Sequence, residues 1–206
     1  MIKGILGRKI GMTRLFTADG TQVPVTAVEV GPVTVVQVKT KDNDGYESVQ
    51  VGYLPKTKEK RVTKALKGHF KAVAPQRVLK EFPVDDIAQV QVGQTFDLSI
   101  FSEGETVSVT GVSKGRGFQG VIKRHHFSGG PGAHGSRFHR QPGSIGNRTF
   151  PGRVFLNKRM PGHMGARQVT VKNLVVTKVI PEKNMILIKG ALPSFNGAVL
   201  TIRKSG

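Results

Sequence analysis

The sequence predicts a mainly β protein: an antiparallel β-barrel that carries a small α-containing insertion and a long, irregular, basic loop. Three observations predict it. Short β-type runs recur along the chain, each closed by a turn signal such as Gly31-Pro32 or Asp42-Asn43-Asp44-Gly45, and strands at that spacing suit a closed or nearly closed barrel. Two such β blocks bracket a β-poor stretch rich in glycine, proline and arginine. No acidic residue occurs between Glu105 and Glu182, whereas thirteen lysines and arginines do. At 206 residues the chain suits one domain over 1–206 with that excursion, and it is long enough to bury a real core.

Taken in order, residues 4–16 (GILGRKIGMTRLF) read as a first strand followed by a turn, with three glycines set among Arg8, Lys9 and Arg14. Val23 to Val30 and Val33 to Val38 are β-type runs, and the Asp42–Gly45 cluster turns the chain. Val49, Val51 and Tyr53 then alternate with Ser48, Gln50 and Gly52, which puts one face on a core and the other in water. Over 55–95 the character changes to an α/β insertion. Lys56, Lys58, Lys60 and Arg61 form a solvated basic run, and Thr63 is placed to cap a short helix carrying Leu66 and Phe70 at i, i+4. Gln76 to Phe82 and Thr95 to Phe101 read as further strands. Ser102 to Glu105 is a hairpin-type turn into Thr106 to Ser113, where Val107 and Val109 alternate with Ser108 and Thr110. Beyond the basic stretch, Val169 and Val171 alternate with Thr170 and Lys172, and Leu174 to Ile180 is a nearly continuous apolar run. Pro181 to Asn184 turns the chain, and Met185 to Ile188 and Ala198 to Ile202 complete the block.

Net charge is +19 and the isoelectric point is near 10.7. The acid-free window holds +13 of that charge, leaving +6 over the other 130 residues. Five of the six histidines and half of the 26 glycines fall in the same region. Concentrated positive charge calls for a partner with dense negative charge, nucleic acid ahead of anionic membrane. Membrane is disfavoured because no stretch of about 18 apolar residues exists. The opening residues also carry a charge every few positions and lack a signal-peptide core. Without cysteine there is no disulfide framework, no zinc-finger thiolate set and no thiol nucleophile. A cytoplasmic setting fits.

Three kinds of chemistry compete for the basic window. Gly115 to Gly120 spells G-x-G-x-x-G, but a dinucleotide site also needs a helix after the glycines and an acid about twenty residues on. Here the chain runs into Gly129-Gly130-Pro131-Gly132, and the next acid is Glu182. The better reading is a glycine turn that lets backbone approach a phosphate chain, with Arg116, Lys123 and Arg124 alongside. His125, His126, His134, His139 and His163 match no familiar metal spacing and have no carboxylate or thiolate beside them. A histidine among arginines serves more simply as a donor to phosphate or 2′-hydroxyl, or as a ring on which a base stacks. For catalysis the window offers no carboxylate to orient a histidine. The acids elsewhere, such as Asp42, Asp44, Asp85 and Asp86, read as solvated turn and edge residues.

Order supplies the strongest argument. From Phe127 to Gly165 the large apolar side chains are few. Fixing backbone costs about 1–2 kcal/mol per residue, so ordering some forty residues costs tens of kcal/mol. Such a segment is either disordered or ordered by a partner along its length. Glycine and proline let it thread between RNA helices, and arginine forks contact phosphate and stack on bases.

The stretches GILGRKIGMTRLF, VTGVSKGRGFQGVIKRHHF, GSIGNRTFPGRVFLNKRMPGHMG and IKGALP resemble the large-subunit ribosomal protein L-three family, bacterial type, over essentially the whole chain. The resemblance implies a barrel related to the second domain of translation elongation factors, seated on large-subunit rRNA. It further implies a loop over 125–163 reaching toward the peptidyl transferase centre, with Gly146 to Pro151 near its deep end, and an early role in subunit assembly. Expected rRNA contacts are Arg8 and Lys9 in the opening strand. Lys114, Arg116, Lys123, Arg124, His125 and His126 are expected around the base of the loop. Arg137, His139, Arg140, Asn147, Arg148, Arg153, Lys158, Arg159, His163 and Arg167 follow along it. The glutamine that some bacterial relatives methylate has no counterpart, since no Gln occurs from Pro142 to Arg167. The expected partners are large-subunit rRNA and neighbouring large-subunit proteins, with no membrane, small-molecule substrate, cofactor, metal or catalytic residue. The expected location is the cytoplasm, in the ribosome. Two other readings remain at this point: a free-standing RNA chaperone or nucleic-acid compacting protein, and a nucleotide-dependent enzyme resting on the glycine motif alone.

Overall fold

The computed structural model describes residues 2–56, 58, 60, 62–71, 73–84 and 86–205. Arg61 of the basic run and Asp85 among the turn acids lie outside the described residues. The chain forms two compact units, Met1–Val112 with Gln168–Gly206, and Ser113–Arg167. In chain order the first unit holds β1 (Gly4–Phe16), β2 (Gln22–Val30), β3 (Val33–Lys39), α1 (Lys41–Asp44), β4 (Ser48–Pro55), α2 (Lys64–His69), β5 (Gln76–Phe82), β6 (Thr95–Phe96) and β7 (Thr106–Val112). The second unit holds β8 (Phe118–Gln119), α3 (Val121–His125) and β9 (Gly162–His163). The first unit resumes with β10 (Gln168–Ile180), β11 (Met185–Lys189) and β12 (Val199–Lys204).

The fold is mainly β, as the alternating runs require. Six strands close an antiparallel barrel in the order β1-β12-β7-β10-β11-β2, and β2 pairs back onto β1. Its interior is lined by Ile5, Val28, Val107, Val109, Val176, Ile186, Ile188, Leu200 and Ile202, none more than 2% exposed. Each such aliphatic side chain taken fully out of water contributes about 1.5–3 kcal/mol. A second sheet, in the order β5-β4-β3-β6, packs its Val33, Val35, Val49, Val51 and Phe82 into the same core. The excursion from the barrel therefore begins at β3 rather than near residue 55, because β3 and β4 pair with each other and with β5 and β6, not with barrel strands. Tyr53 completes the junction by donating its hydroxyl to the Glu29 carbonyl at 3.1 Å. Burial pushes that phenol up to about 12, so it stays a donor at neutral pH.

Several elements differ from the sequence reading, each for a local reason. The opening stretch is one thirteen-residue strand with no turn in it. Gly7 is a packing position: a Cβ there would lie 2.8 Å from Val28 Cγ1 and 3.0 Å from the Glu29 carbonyl oxygen. The Asp42–Gly45 turn is one turn of helix, closed by Gly45 in the left-handed region with φ 82°. Thr95 to Phe101 splits into the two-residue β6 and a 3₁₀ turn over Leu98–Ile100. The apolar anchors there, Leu98 and Phe101, are three apart, which is the 3₁₀ period and not the strand period. In β4 the outward face is not wholly wet, since Ser48 is buried, and its hydroxyl has no hydrogen-bond partner among the described residues. β10 carries an irregularity between Val171 and Leu174, where Asn173 adopts φ 57°. That shift puts Leu174 and Val176 on the same core-facing side as Val171, whose register partner is the buried Val109.

The helix in the insertion forms as its sequence dictates. Thr63 Oγ1 accepts the Leu66 N–H at 3.4 Å, satisfying one orphan donor of the first turn. Phe70, just past the last turn, is buried. At the barrel, β7 ends at Val112 and β10 begins at Gln168, and these two residues are register partners. The chain thus leaves and re-enters the first unit at adjoining positions.

Candidate nucleic-acid interface

The unit Ser113–Arg167 starts as a narrow two-stranded neck. Ser113 N donates to the Arg167 carbonyl at 2.9 Å, Arg116 N to Met164 O at 2.9 Å, and Met164 N to Gly117 O at 3.0 Å. Beyond these, Phe118 and Gln119 of β8 pair with His163 and Gly162 of β9. Gly165 has φ +78°, and a side chain there would overlap the Lys114 carbonyl oxygen; only glycine lets the two strands of the neck come this close. A short helix, α3, does follow the glycine motif, contrary to the sequence reading. It runs from Val121 to His125 and stops at His126, which takes φ 60°. Within this unit Val121 is the one buried apolar side chain among the described residues.

From α3 the chain returns without helix or strand until β9 among the described residues. Arg124 and His125 tie the two arms together. Arg124 Nη1 donates to the Met160 carbonyl at 2.6 Å, and the His125 ring lies 3.1 Å from the same oxygen. Arg124 is thereby packed against Gly162, where a Cβ would sit 2.7 Å from its Nη1. The remaining expected contacts in the unit face water: Lys114, Arg116, Lys123, His126, Arg137, His139, Arg140, Asn147, Arg148, Arg153, Lys158, Arg159, His163 and Arg167 are all exposed. His139 is oriented by its Nδ1, 2.9 Å from the Pro131 carbonyl. Gly117 and Gly120 meet open space where a Cβ would be, so the backbone at the glycine motif is bare to an approaching polymer.

The two contacts expected in β1 differ from each other. Arg8 Nε donates to a Glu29 carboxylate oxygen at 3.1 Å, and that hydrogen bond raises the guanidinium pKa further. A guanidinium has five donors, so others remain for phosphate. Lys9 is buried instead. It is 7% exposed, and its Nζ donates to the carbonyls of Leu192 at 2.7 Å and Ser194 at 3.2 Å. The expectation of an RNA contact at Lys9 is therefore corrected: its charge is desolvated and committed to the turn after β11. Replacing it, as in Lys9→Met, is expected to lower stability by about 1–3 kcal/mol by stranding those carbonyls. In the same variant rRNA affinity and its salt slope should not change. Urea unfolding and a binding titration on one preparation check both halves, and a tenfold loss of affinity with unchanged stability would restore Lys9 as a contact.

Charge is partitioned between the units. Among the described residues of the first unit, Glu29, Glu47, Glu81 and Glu105 pair with that unit's own cations, as in Lys39–Glu81 at 2.8 Å and Lys204–Glu105 at 2.7 Å. The second unit has eleven lysines and arginines and no acid. It also exposes large apolar groups: Phe150 is 87% exposed, Phe155 62% and Leu156 94%. Arg153 lies over the Phe155 ring, 5.8 Å from its centroid, in cation–π geometry. Unneutralised cations interleaved with bare rings are the surface that a nucleic-acid backbone and its bases cover together. Sequence reasoning found the cations through their charge. It did not find the rings of Phe127 and Phe138 or the amide of Gln141, which gather near α3; the only signal was the glycines that let chain pack around them.

A profile of the family described as ribosomal protein L3 matches residues 81–184. Relatives named large ribosomal subunit protein uL3 align over the full chain. That of Dehalococcoides mccartyi is 52% identical over 207 residues, covering 100% of both chains. The protein of Carboxydothermus hydrogenoformans is 52% identical, covering 100% of this chain and 98% of its own. That of Alkaliphilus metalliredigens is 52% identical over 204 residues, covering 98% and 97%.

Proposed function

Because the chain belongs to the ribosomal protein L3 family, we propose that it is a structural constituent of the large ribosomal subunit that binds large-subunit rRNA directly. The family is a structural ribosomal component and not an enzyme. In this reading the barrel is the seat. The loop over 125–163 is the extension that enters folded rRNA toward the peptidyl transferase centre, and binding assists early subunit assembly. The protein would act in the cytoplasm, within the ribosome, beside other large-subunit proteins. No helix among the described residues is long and apolar enough to cross a membrane.

One observation carries the reading: eleven cations without an acid in one unit, nearly all of them exposed. Phosphates supply the missing counter-charge, and the guanidinium forks of Arg137, Arg140, Arg148, Arg153, Arg159 and Arg167 suit them bidentately. Most such contacts position the protein and carry no sequence information. Arg124 and His125 are partly committed to the Met160 carbonyl, so they brace the loop as well as adding charge. The test is sedimentation of cell extract through sucrose after a wash at about 0.5 M salt, high enough to screen non-specific phosphate contacts. The protein is expected at one copy per large subunit. Recovery mainly in the unbound fraction would point instead to a free-standing RNA chaperone.

A further inference from the structure

Where the chain leaves α3 it curls into an open cavity of about 460 Å³ within the second unit, a volume typical of small-ligand sites. His126, Phe127, Phe138, Gln141, Pro142 and Arg159 are among its walls. These walls are held in place by the protein itself. A side chain at Gly130 would overlap the Phe138 ring and carbonyl, and a Cβ at Gly143 would lie 3.5 Å from Phe138 Cζ. Gly130 N also donates to the His139 carbonyl at 3.1 Å, and Phe138 N to Ser136 Oγ at 3.2 Å. On the other side, the Phe127 ring lies 6.3 Å from that of His125, which is itself fixed by the Met160 carbonyl. Two polar side chains line the same cavity and are exposed to solvent: the Gln141 amide and the Arg159 guanidinium.

The geometry points to a receptor for one unpaired nucleobase of RNA, taken out of its stack and held against the Phe127 and Phe138 rings. Gln141 would read the base edge, and Arg159 would hold the adjoining phosphate. This deepens the rRNA-binding reading and rests on it. Each part of the cavity matches one part of a nucleotide. Flat apolar faces suit the base, whose π-face stacks on aromatic side chains. An amide offers both a donor and an acceptor to its edge, and a guanidinium matches phosphate. A bare anion would leave the rings without a role. A metal ion would lack ligands, since no cluster of three or more His, Cys, Asp or Glu exists among the described residues.

The probe is a 12-nucleotide oligoadenylate, compared with a strand of equal length whose sugars carry no base, each titrated against the full chain by fluorescence anisotropy. The base-bearing strand is expected to bind about tenfold more tightly, as loss of one stacked base commonly weakens binding by such a factor. Phe127→Leu, which keeps bulk but not the flat face, and Gln141→Ala, at an exposed position, are each expected to shrink that ratio. Neither should change the affinity for the base-free strand, which also reports that each variant is folded. If the ratio persists in both variants, or is absent in the wild-type chain, the nucleobase receptor is overturned while phosphate binding stands. If neither strand binds the wild-type chain, the rRNA-binding reading falls and takes this one with it.

Discussion

Binding of the isolated chain to free large-subunit rRNA, outside the assembled subunit, will weaken about 10³–10⁵-fold between 50 and 200 mM salt, if some 6–10 phosphates are neutralised. The size of the effect follows from where the charge sits. Eleven cations lie in the second unit with no acid among them, so no internal carboxylate competes for them, and each phosphate they neutralise releases counterions condensed on the nucleic acid. In the first unit the situation differs: Arg8, Lys39, Lys41 and Lys204 already face Glu29, Glu81, Glu47 and Glu105. Exposed pairs of that kind contribute little to stability, but they reduce the net charge available to RNA. Filter binding across a salt series measures the slope. An affinity that hardly moves with salt would mean that apolar contacts, not phosphates, hold the complex.

Excising residues 128–161 and joining the ends with a short Gly-Ser linker will remove most of the rRNA affinity and leave the barrel folded. Neither core cluster includes a side chain from that span. The barrel's own ladder brings Val112 and Gln168 into register without it. The ends to be joined are also close, because the Met160 carbonyl lies 3.1 Å from the His125 ring. Shortening a loop changes closure entropy only logarithmically, so the thermal midpoint should stay within a few degrees, the shift that about 1 kcal/mol produces in a domain of this size. Circular dichroism melts check this half; a chain that no longer unfolds cooperatively would show that the loop supports the barrel.

Much of the barrel could be read from the chain because its strands are half-buried. Val107 and Val109 alternate with Ser108 and Thr110, and the structure buries the valines. The same logic fails where packing overrides alternation. Asn173 in the left-handed region shifts the register of β10 partway along; asparagine tolerates that region, but the apolar run that follows it hides where the alternation changes. Lys9 shows the limit for charge: a lysine in a strand reads as solvated until the carbonyls of Leu192 and Ser194, far away in sequence, are placed around its ammonium. In the second unit the charge was plain, but α3 was hidden among glycines. Its five residues gain stability from tertiary tethers such as Arg124 to Met160, which no local pattern reveals.

In the function proposed above, the unit Ser113–Arg167 meets rRNA through its phosphates. Residues 128–161 hold six of the chain's lysines and arginines, from Arg137 to Arg159. The decisive measurement is the slope of log affinity against log salt for the full and excised chains side by side. At about 0.9 per phosphate for helical nucleic acid and 0.7 for single strands, excision is expected to lower the slope by about 4–5. Equal slopes for the two chains would contradict it.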